Sequence, residues 1–230
     1  MSDALLSAAG FGIEAVKLSG QREINEFQIL EALEIHEGTS LALFDAAGAR
    51  ERLNDMAWVK NASVMKFYPS TLQIKIEERV PYALWQRGDL VSIVNESGDV
   101  ITDDVDGRYA NLLLVVNHGA QRRAVEINKA LENVPELRPR VRAAFLISDR
   151  RWDLQLENGI SIRLPEQNID AALADLVKMD DENGLLSRDI VAIDMRLGDR
   201  VTVRLSDEAA EERNIMTGGE GGSKKKERDT

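Results

Sequence analysis

The chain has 230 residues, a formal net charge of −11, 43% hydrophobic residues and no cysteine. This apolar content excludes a wholly disordered chain, and the lack of cysteine excludes disulfides, thiolate metal sites and a cysteine nucleophile. No uninterrupted apolar run exceeds five residues, whereas a membrane-spanning helix needs about 20. The sequence therefore predicts neither a membrane span nor a signal peptide within these residues. Its acidic charge argues against broad nucleic-acid binding.

The first 80 residues predict the order strand, helix, helix, strand, strand. Residues 11–18 are strand-like, and two segments with apolar residues at helical spacing follow, separated by Gly38. The predicted helix faces are Ile24, Phe27, Leu30 and Leu33, and then Ala42, Ala46, Ala49, Leu53 and Met56. Thr39 or Ser40 is a candidate cap for the second helix. Residues 58–67 and the alternating residues 72–80 predict the two strands.

Beyond Pro81 the pattern predicts a mostly β module with helices. The strand candidates are 82–86, 90–95, 112–116, 141–147, 152–156, 160–164, 190–195 and 201–205. The helix candidates are 121–133 and an amphipathic segment with apolar residues Ile169, Ala172, Leu173, Leu176 and Val177, closed by Asn183 and Gly184. Asn158 and Gly159 are typical of a two-residue type I′ hairpin turn.

No residue pattern indicates catalysis or metal binding. His36 and His118 have no partner motif, and the adjacent pairs Asp103-Asp104 and Asp180-Asp181 lack the spacing of cation ligands, so we expect solvated side chains. The glycine-rich residues 217–224 lack the strand and helix that a phosphate-binding loop requires. We interpret residues 206–230 as a flexible tail.

The remaining hypothesis is a binding protein built of small sheets. An exposed strand edge in such a sheet can accept a strand from a partner. Residues 201–205 are the candidate edge strand, with polar Thr202 and Arg204 at alternate positions. The same pattern equally allows a paired interior strand with no partner.

Several segments, in order along the chain, carry a family resemblance. They are 16–20 (VKLSG), 58–72, the E-x-x-P-x-A-x-W exit at 78–85, the hairpin 89–99, residues 151–160, and 193–196 (IDMR). In this order and spacing, over 11–205, they resemble the FtsQ/DivIB family of bacterial cell-division proteins. The SGQR and tryptophan-led stretches resemble its alphaproteobacterial members.

This resemblance implies an α+β fold: a POTRA domain (β-α-α-β-β) at 11–79, then a mostly antiparallel β domain with flanking helices at 80–205. It implies a non-catalytic divisome scaffold that links early and late division proteins and restrains septal peptidoglycan synthesis. Family members carry one membrane helix before the POTRA domain. Residues 1–10 would then be the lead-in from an inner-membrane anchor, with this region in the periplasm at the division site. No cofactor or metal is implied.

The resemblance also implies a partner site, at which FtsB, in complex with FtsL, adds a strand to the edge of the last strand. The contact residues carried over are Arg196, Leu197, Gly198, Asp199, Arg200, Val201, Thr202, Val203, Arg204 and Leu205, with Arg150 and Arg151 of the hairpin. Arg196 is the main candidate, because its guanidinium can form charge-assisted hydrogen bonds with a partner carboxylate. Leu197 stands where many members of the family carry an aromatic residue, and Leu205 stands where some carry tryptophan. Both departures weaken the case for an aromatic hot spot.

Other partners and functions stay open at this stage. The POTRA face with Trp58 and Phe67 could contact further divisome or membrane partners, although core packing is the expectation for these two side chains. A POTRA-type secretion or outer-membrane assembly module would capture client strands, but it would favour tandem POTRA repeats, and the sequence shows one such unit. For an enzyme, the sequence offers no preferred residue.

Overall fold

The computed structural model describes residues 12–36, 38–198, 200–209 and 211. These residues form two compact units. The first contains the chain up to Pro81 and the segments Ser92–Asn95 and Asp99–Val105, and the second contains the remainder. The predicted lead-in 1–10, Phe11 and most of the predicted tail 206–230 lie outside the described residues.

The first unit is built on a three-stranded sheet and two helices. In chain order its elements are β1 (Ala15–Ser19), α1 (Glu26–Ala32), α2 (Ala46–Asn54), β2 (Val59–Phe67) and β3 (Thr71–Glu78). Strand β3 is central: β1 pairs with one side of it in parallel and β2 pairs with the other side in antiparallel fashion. The predicted β-α-α-β-β order of a POTRA domain is therefore confirmed.

Alternation along β3 places Leu72, Ile74 and Ile76 in the core of this unit, each at most 2% exposed. The predicted face of the first helix is wrong in part, because Phe27 is 73% exposed. A strict three-residue repeat drifts by about 60° per step around a helix. The residues that share the buried side are four apart, Ile29 and Leu33.

The expectation that Phe67 packs in the core is wrong, because β2 directs it to the open face of the sheet, whereas Trp58 packs against the core.

The helix caps differ from the prediction. Helix α2 is capped by Asp45, whose Oδ1 accepts hydrogen bonds from the amides of Ala47 and Gly48 at 3.1 Å each. Ser40 is instead buried and forms an isolated β-bridge with Gly12. Asp45 is the better cap, because it directly precedes the first helical residue and brings a negative charge to the helix N-terminus.

A nine-stranded sheet accounts for the later strands of the chain, and confirms the mostly β module. The strands are β4 (Ala83–Arg87), β5 (Leu90–Val94), β6 (Val100–Thr102), β7 (Leu113–Val116), β8 (Val141–Ile147), β9 (Arg151–Leu156), β10 (Ser161–Arg163), β11 (Ile190–Asp194) and β12 (Thr202–Leu205). From one edge the order is β12-β11-β10-β9-β8-β7-β4-β5-β6. The helices are α3 (Ala124–Glu132) and α4 (Ile169–Asn183).

The sheet mixes both kinds of ladder. Antiparallel ladders join β5 to β6, β8 to β9, β9 to β10 and β11 to β12. Parallel ladders join β4 to β7, β7 to β8 and β10 to β11. Because parallel neighbours need a crossover connection, α3 lies between β7 and β8 in the chain, and α4 lies between β10 and β11.

The turn between β9 and β10 is longer than the predicted two-residue I′ turn. The amide of Gly159 donates to the carbonyl of Leu156 at 3.0 Å, and the amide of Leu156 donates to the carbonyl of Ile160 at 2.9 Å. Of the turn residues only Gly159 has positive φ, 89°. These features are typical of a three-residue turn with a glycine bulge. The antiparallel pairing itself is as predicted.

Helix α4 follows the predicted apolar pattern closely. Ile169, Ala172, Leu173 and Leu176 are buried. The helix ends at Gly184, whose φ of 60° lies in the left-handed region that favours glycine. The helix has 15 residues, and after it the chain returns to the sheet at the start of β11.

Glu78 fixes the connection between β1 and α1. Its Oε1 accepts hydrogen bonds from the backbone amides of Arg22, Glu23 and Ile24 at 2.8, 3.0 and 2.9 Å. The connection passes so close to β3 at Gly20 (φ 92°) that a Cβ there would collide with the carbonyl oxygen of Ile76. The glutamate of the E-x-x-P motif therefore has a structural role in this chain.

Replacing Glu78 by alanine should destabilise the first unit by about 1–3 kcal/mol, because backbone donors lose a charged acceptor. The matched control is Glu77→Ala, since Glu77 is exposed and its one ion pair among the described residues is with Lys60 at the surface. That change should cost less than about 1 kcal/mol. Urea denaturation of both variants is the measurement, and equal losses of stability would contradict the role assigned to Glu78.

Candidate partner-binding edge

Strand β12 forms one edge of the nine-stranded sheet. It pairs with β11 in antiparallel register, with Ile193 opposite Val203 and Asp194 opposite Thr202, and the register shifts between Ile190 and Ala192. Within the described part of the chain no strand pairs with its other side. The structure thus selects the edge strand over the interior strand that the sequence left open.

Hydrogen bonds on either side of the ladder show which backbone groups face outward. Met195 donates its amide to Arg163 on β10, at 2.9 Å, so the alternation of a strand directs the amide of Asp194 towards β12. Ser206 donates its amide to Asp189, at 3.2 Å, so the same alternation directs the amides of Arg204 and Thr202 towards β11. Val203 and Leu205 therefore direct their N–H and C=O groups to the open side.

Asp194 holds Arg196 at the elbow that joins β11 to β12. The Nε of Arg196 donates to Oδ1 of Asp194 at 2.8 Å, and Nη2 donates to Oδ2 at 2.6 Å. The backbone amide of Arg196 donates to Oδ1 at 3.2 Å. This paired hydrogen bonding lowers the pKa of Asp194 from 3.8 to about 2. Nη1 of Arg196 keeps its two donors without a partner among the described residues, so a partner carboxylate could still bind there.

A row of charged side chains crosses the sheet and ends at the edge. Asp153 on β9 lies opposite Arg163 on β10, Arg163 lies beside Asp194 on β11, and Asp194 lies opposite Thr202. Arg163 Nη1 is 3.5 Å from Asp194 Oδ2, and Arg151 Nε is 3.3 Å from Asp153 Oδ1. Burial raises the pKa of Asp153, and the nearby arginines offset part of that effect.

A groove of about 650 Å³ lies beside the elbow. It brings together five of the predicted contact residues: Arg151, Arg196, Leu197, Gly198 and Val201. The start of α4 provides the opposite wall, including Ala171 and Asp175. Leu197 is 55% exposed. The groove combines apolar wall atoms with two guanidinium groups and the carboxylates of Glu166 and Asp175, so it can contact both apolar and charged side chains of a partner segment.

The remaining predicted contact residues that the structure describes do not line this groove. Arg150 is in the turn before β9, where its Nε is 3.7 Å from Glu166 Oε1. Arg204 is exposed, lies opposite Ala192, and has no ionic partner in the described ranges. Arg200 lines a smaller groove with Thr202, and Asp199 lies outside the described residues. Asp194 and Arg163 were missed, although the I-D-M-R segment displays the aspartate two residues before Arg196.

The other sequence candidates do not assemble a second site. His36 and His118 are exposed, and the described residues contain no cluster of three or more potential metal ligands. The prediction of a solvated side chain is wrong for Asp180. Its carboxylate accepts a hydrogen bond from Arg140 Nη1 at 2.7 Å and one from the amide of Leu186 at 2.6 Å. Among the described helices, none has both the length and the apolar character needed to cross a bilayer.

Comparison with known proteins places both units in one family. Residues 11–79 match the family model described as "POTRA domain, FtsQ-type", and residues 83–196 match the model described as "Cell division protein FtsQ/DivIB, C-terminal". Several relatives carry the name "Cell division protein FtsQ". The alphaproteobacterial resemblance is confirmed by the organisms of these relatives.

Three relatives illustrate the range of similarity. The Agrobacterium fabrum protein is 41% identical over 207 residues, which cover 90% of this chain and 65% of the relative. The Bartonella bacilliformis protein is 42% identical over 211 residues, 92% of this chain and 68% of the relative. The Caulobacter vibrioides protein is 33% identical over 205 residues, 89% of this chain and 68% of the relative.

The chain thus spans about two thirds of the length of these relatives. Two family models match consecutive parts of it, and relatives above 30% identity align over about nine tenths of it. The chain belongs to the FtsQ/DivIB family of bacterial cell-division proteins, with an FtsQ-type POTRA domain ahead of the FtsQ/DivIB C-terminal region.

Proposed function

We propose that this chain is the periplasmic part of a non-catalytic divisome scaffold that links early and late division proteins and restrains septal peptidoglycan synthesis. Family membership and the names of the relatives support the division role. In the same proposal, a membrane helix N-terminal to the described residues anchors the chain in the inner membrane. The domain limits proposed are 11–79 for the POTRA domain and 80–205 for the β domain, with 1–10 as lead-in and 206–230 as tail.

The proposed mechanism is strand addition at β12 by FtsB in complex with FtsL. The observation that carries it is the open edge of β12, where Val203 and Leu205 direct backbone donors and acceptors away from β11. Main-chain hydrogen bonds to such an edge supply affinity, and the side chains beside it supply specificity. The partner is proposed from the family, since no partner is named by the relatives themselves.

Arg196 is proposed to favour a partner segment that carries acidic side chains. Asp194 holds its Nε and Nη2, which orients the guanidinium before binding and lowers the entropy lost on contact. Arg151 lies on the same groove, and Arg204 is exposed on the edge strand. A partner strand flanked by acidic side chains therefore fits this edge better than a basic one.

Val203→Pro should weaken binding of a peptide from the C-terminal half of FtsB by about tenfold or more, because it removes an outward amide from the edge. The fold should persist, since proline is tolerated at an edge where the amide faces solvent. Isothermal titration calorimetry is the measurement. Val203→Ala is the matched control: it shortens the same side chain, which is 37% exposed, but keeps the amide. Equal affinity of the proline variant and the parent chain would rule out strand addition at this residue.

Arg196→Glu should weaken binding of the same peptide by about tenfold or more. The substitution replaces a positive side chain, proposed to contact an acidic side chain of the peptide, by a negative one that repels it. Asp194→Asn is the companion variant, since it keeps Arg196 but removes the carboxylate that orients it. We expect a smaller loss for Asp194→Asn than for Arg196→Glu in calorimetry. Unchanged affinity of Arg196→Glu would remove Arg196 from the binding mechanism.

Arg196→Gln should raise the pKa of Asp194 from about 2 towards its ordinary value of 3.8. In the parent chain the folded pKa lies below the unfolded one, so the stabilisation is present above pH 4 and is lost as the pH falls towards 2. The variant should therefore lose less stability over that window. Titration of the Asp194 carboxyl carbon by NMR measures the shift, and an unchanged pKa would contradict the role of Arg196 as its main partner.

A further inference from the structure

Arg163 is the last residue of β10, and the pairing of β10 with β11 fixes its position. Its carbonyl oxygen accepts a hydrogen bond from the amide of Met195 at 2.9 Å, and the parallel ladder places Arg163 beside Asp194. The register of the sheet therefore brings this arginine to the same carboxylate that holds Arg196 at the elbow.

Two guanidinium groups share the carboxylate of Asp194. Nη2 of Arg196 donates to Oδ2 at 2.6 Å, and Nη1 of Arg163 lies 3.5 Å from the same oxygen. The side chain of Asp194 is only 24% exposed, so water and salt screen this contact less than they screen a fully exposed pair. Contact with Arg196 is the main cause that lowers the pKa of Asp194, and the charge of Arg163 lowers it further.

The other carboxylate of the charged row has an arginine of its own. Oδ1 of Asp153 lies 3.3 Å from Nε of Arg151, and these side chains are 17% and 20% exposed. Asp153 also lies opposite Arg163 in the ladder between β9 and β10. Among the described residues, however, the one ion pair of Arg163 is with Asp194. Arg163 therefore acts mainly on the carboxylate at the elbow.

This sharing decides how much positive charge Arg196 can offer to a partner. An aspartate paired with a single arginine forms a neutral unit, and it repels a second carboxylate that approaches the arginine. With Arg163 on its other side, Asp194 is compensated twice, so the three side chains together carry one positive charge. The charge lies at the smaller groove of about 410 Å³, in which Asp194 supplies the one carboxylate among the described lining residues.

We propose that Arg163 is a positioning residue that sets the preference of this edge for an acidic partner segment. It compensates the charge of Asp194, which can then orient Arg196 without neutralising it. Arg163 lies two strands inside the edge strand β12 and acts through Asp194, not through contact with the partner. The inference rests on the strand addition proposed above and assigns a role that neither Arg196 nor Asp194 fulfils alone.

A double-mutant cycle in the whole chain tests this role, with calorimetry of the same FtsB peptide. Arg163→Gln should weaken binding by about threefold, the size expected for a partly exposed ion pair. In the Asp194→Asn background the same substitution should change the affinity by less than about 1.5-fold, because no carboxylate is left to compensate. Equal losses in the two backgrounds would overturn the proposal, since Arg163 would then act by its own charge.

Arg142→Gln is the matched control, because it removes the same charge from an exposed position of the same sheet. Phe145 on β8 lies opposite Asp153, and Asp153 lies opposite Arg163. Arg142 is thus three residues further along the sheet, about 10 Å, which exceeds the Debye length of about 8 Å. The control should bind as the parent chain does. A loss equal to that of Arg163→Gln would indicate a general effect of net charge and overturn the proposal.

Arg163→Lys separates the charge of the side chain from its shape. Lysine keeps the positive charge but lacks the planar fork of the guanidinium, so this variant should recover most of the affinity lost in Arg163→Gln. A lysine variant as weak as the glutamine variant would contradict the role assigned to the charge.

Titration of the Asp194 carboxyl carbon by NMR measures the sharing without a partner. Arg163→Gln should raise the pKa of Asp194 above about 2, by less than Arg196→Gln does, because Arg196 is the larger cause. An unchanged pKa would overturn the charge sharing even if the peptide binds. Absence of peptide binding by the parent chain, or equal affinity of Val203→Pro, would instead overturn strand addition, so the two proposals fail separately.

Discussion

The parallel pairing of β10 with β11 is the constraint on which the candidate site depends. Parallel neighbours cannot be joined by a tight turn, so the chain leaves β10, forms α4 and returns to begin β11 at Ile190. After β11 the chain reverses through the elbow at Arg196, and β12 takes the last place in the sheet. The open edge, the elbow and the groove beside α4 are thus consequences of one crossover.

The charged row owes its position to the same pairing. Arg163 and Asp194 are far apart in the chain but share a register position because β10 and β11 are neighbours. Asp194 then holds Arg196, which follows it by only two residues. A local contact and a long-range contact therefore meet at one carboxylate. This arrangement orients the arginine that the family resemblance singles out, and it joins the elbow to the interior strands of the sheet.

Local patterns predicted most elements of the fold, because each reflects the period of one strand or helix. The alternation in β3 and the apolar face of α4 are examples, and both agree with the structure. The errors have local causes as well: Phe27 followed a three-residue repeat that drifts around a helix, and Gly159 closes a turn with one more residue than expected. The parallel ladders were not predicted, since no local signal records which distant strands pair. For the site, the alternating pattern supplied 201–205 as a candidate edge strand and the resemblance supplied Arg196, whereas the contact of Arg163 with Asp194 required the three-dimensional structure.

The form of β12 also bears on unwanted self-association. An open strand edge can pair with the same edge of another molecule and begin an aggregate, and natural proteins reduce this risk with short, charged or bulged edge strands. Two of these features occur in β12, which has four residues and carries the exposed Arg204, and the extra residue of the ladder lies in its neighbour β11, between Ile190 and Ala192. An edge of this kind gains little from pairing with a copy of itself, whereas the partner strand proposed above would be longer and of complementary charge.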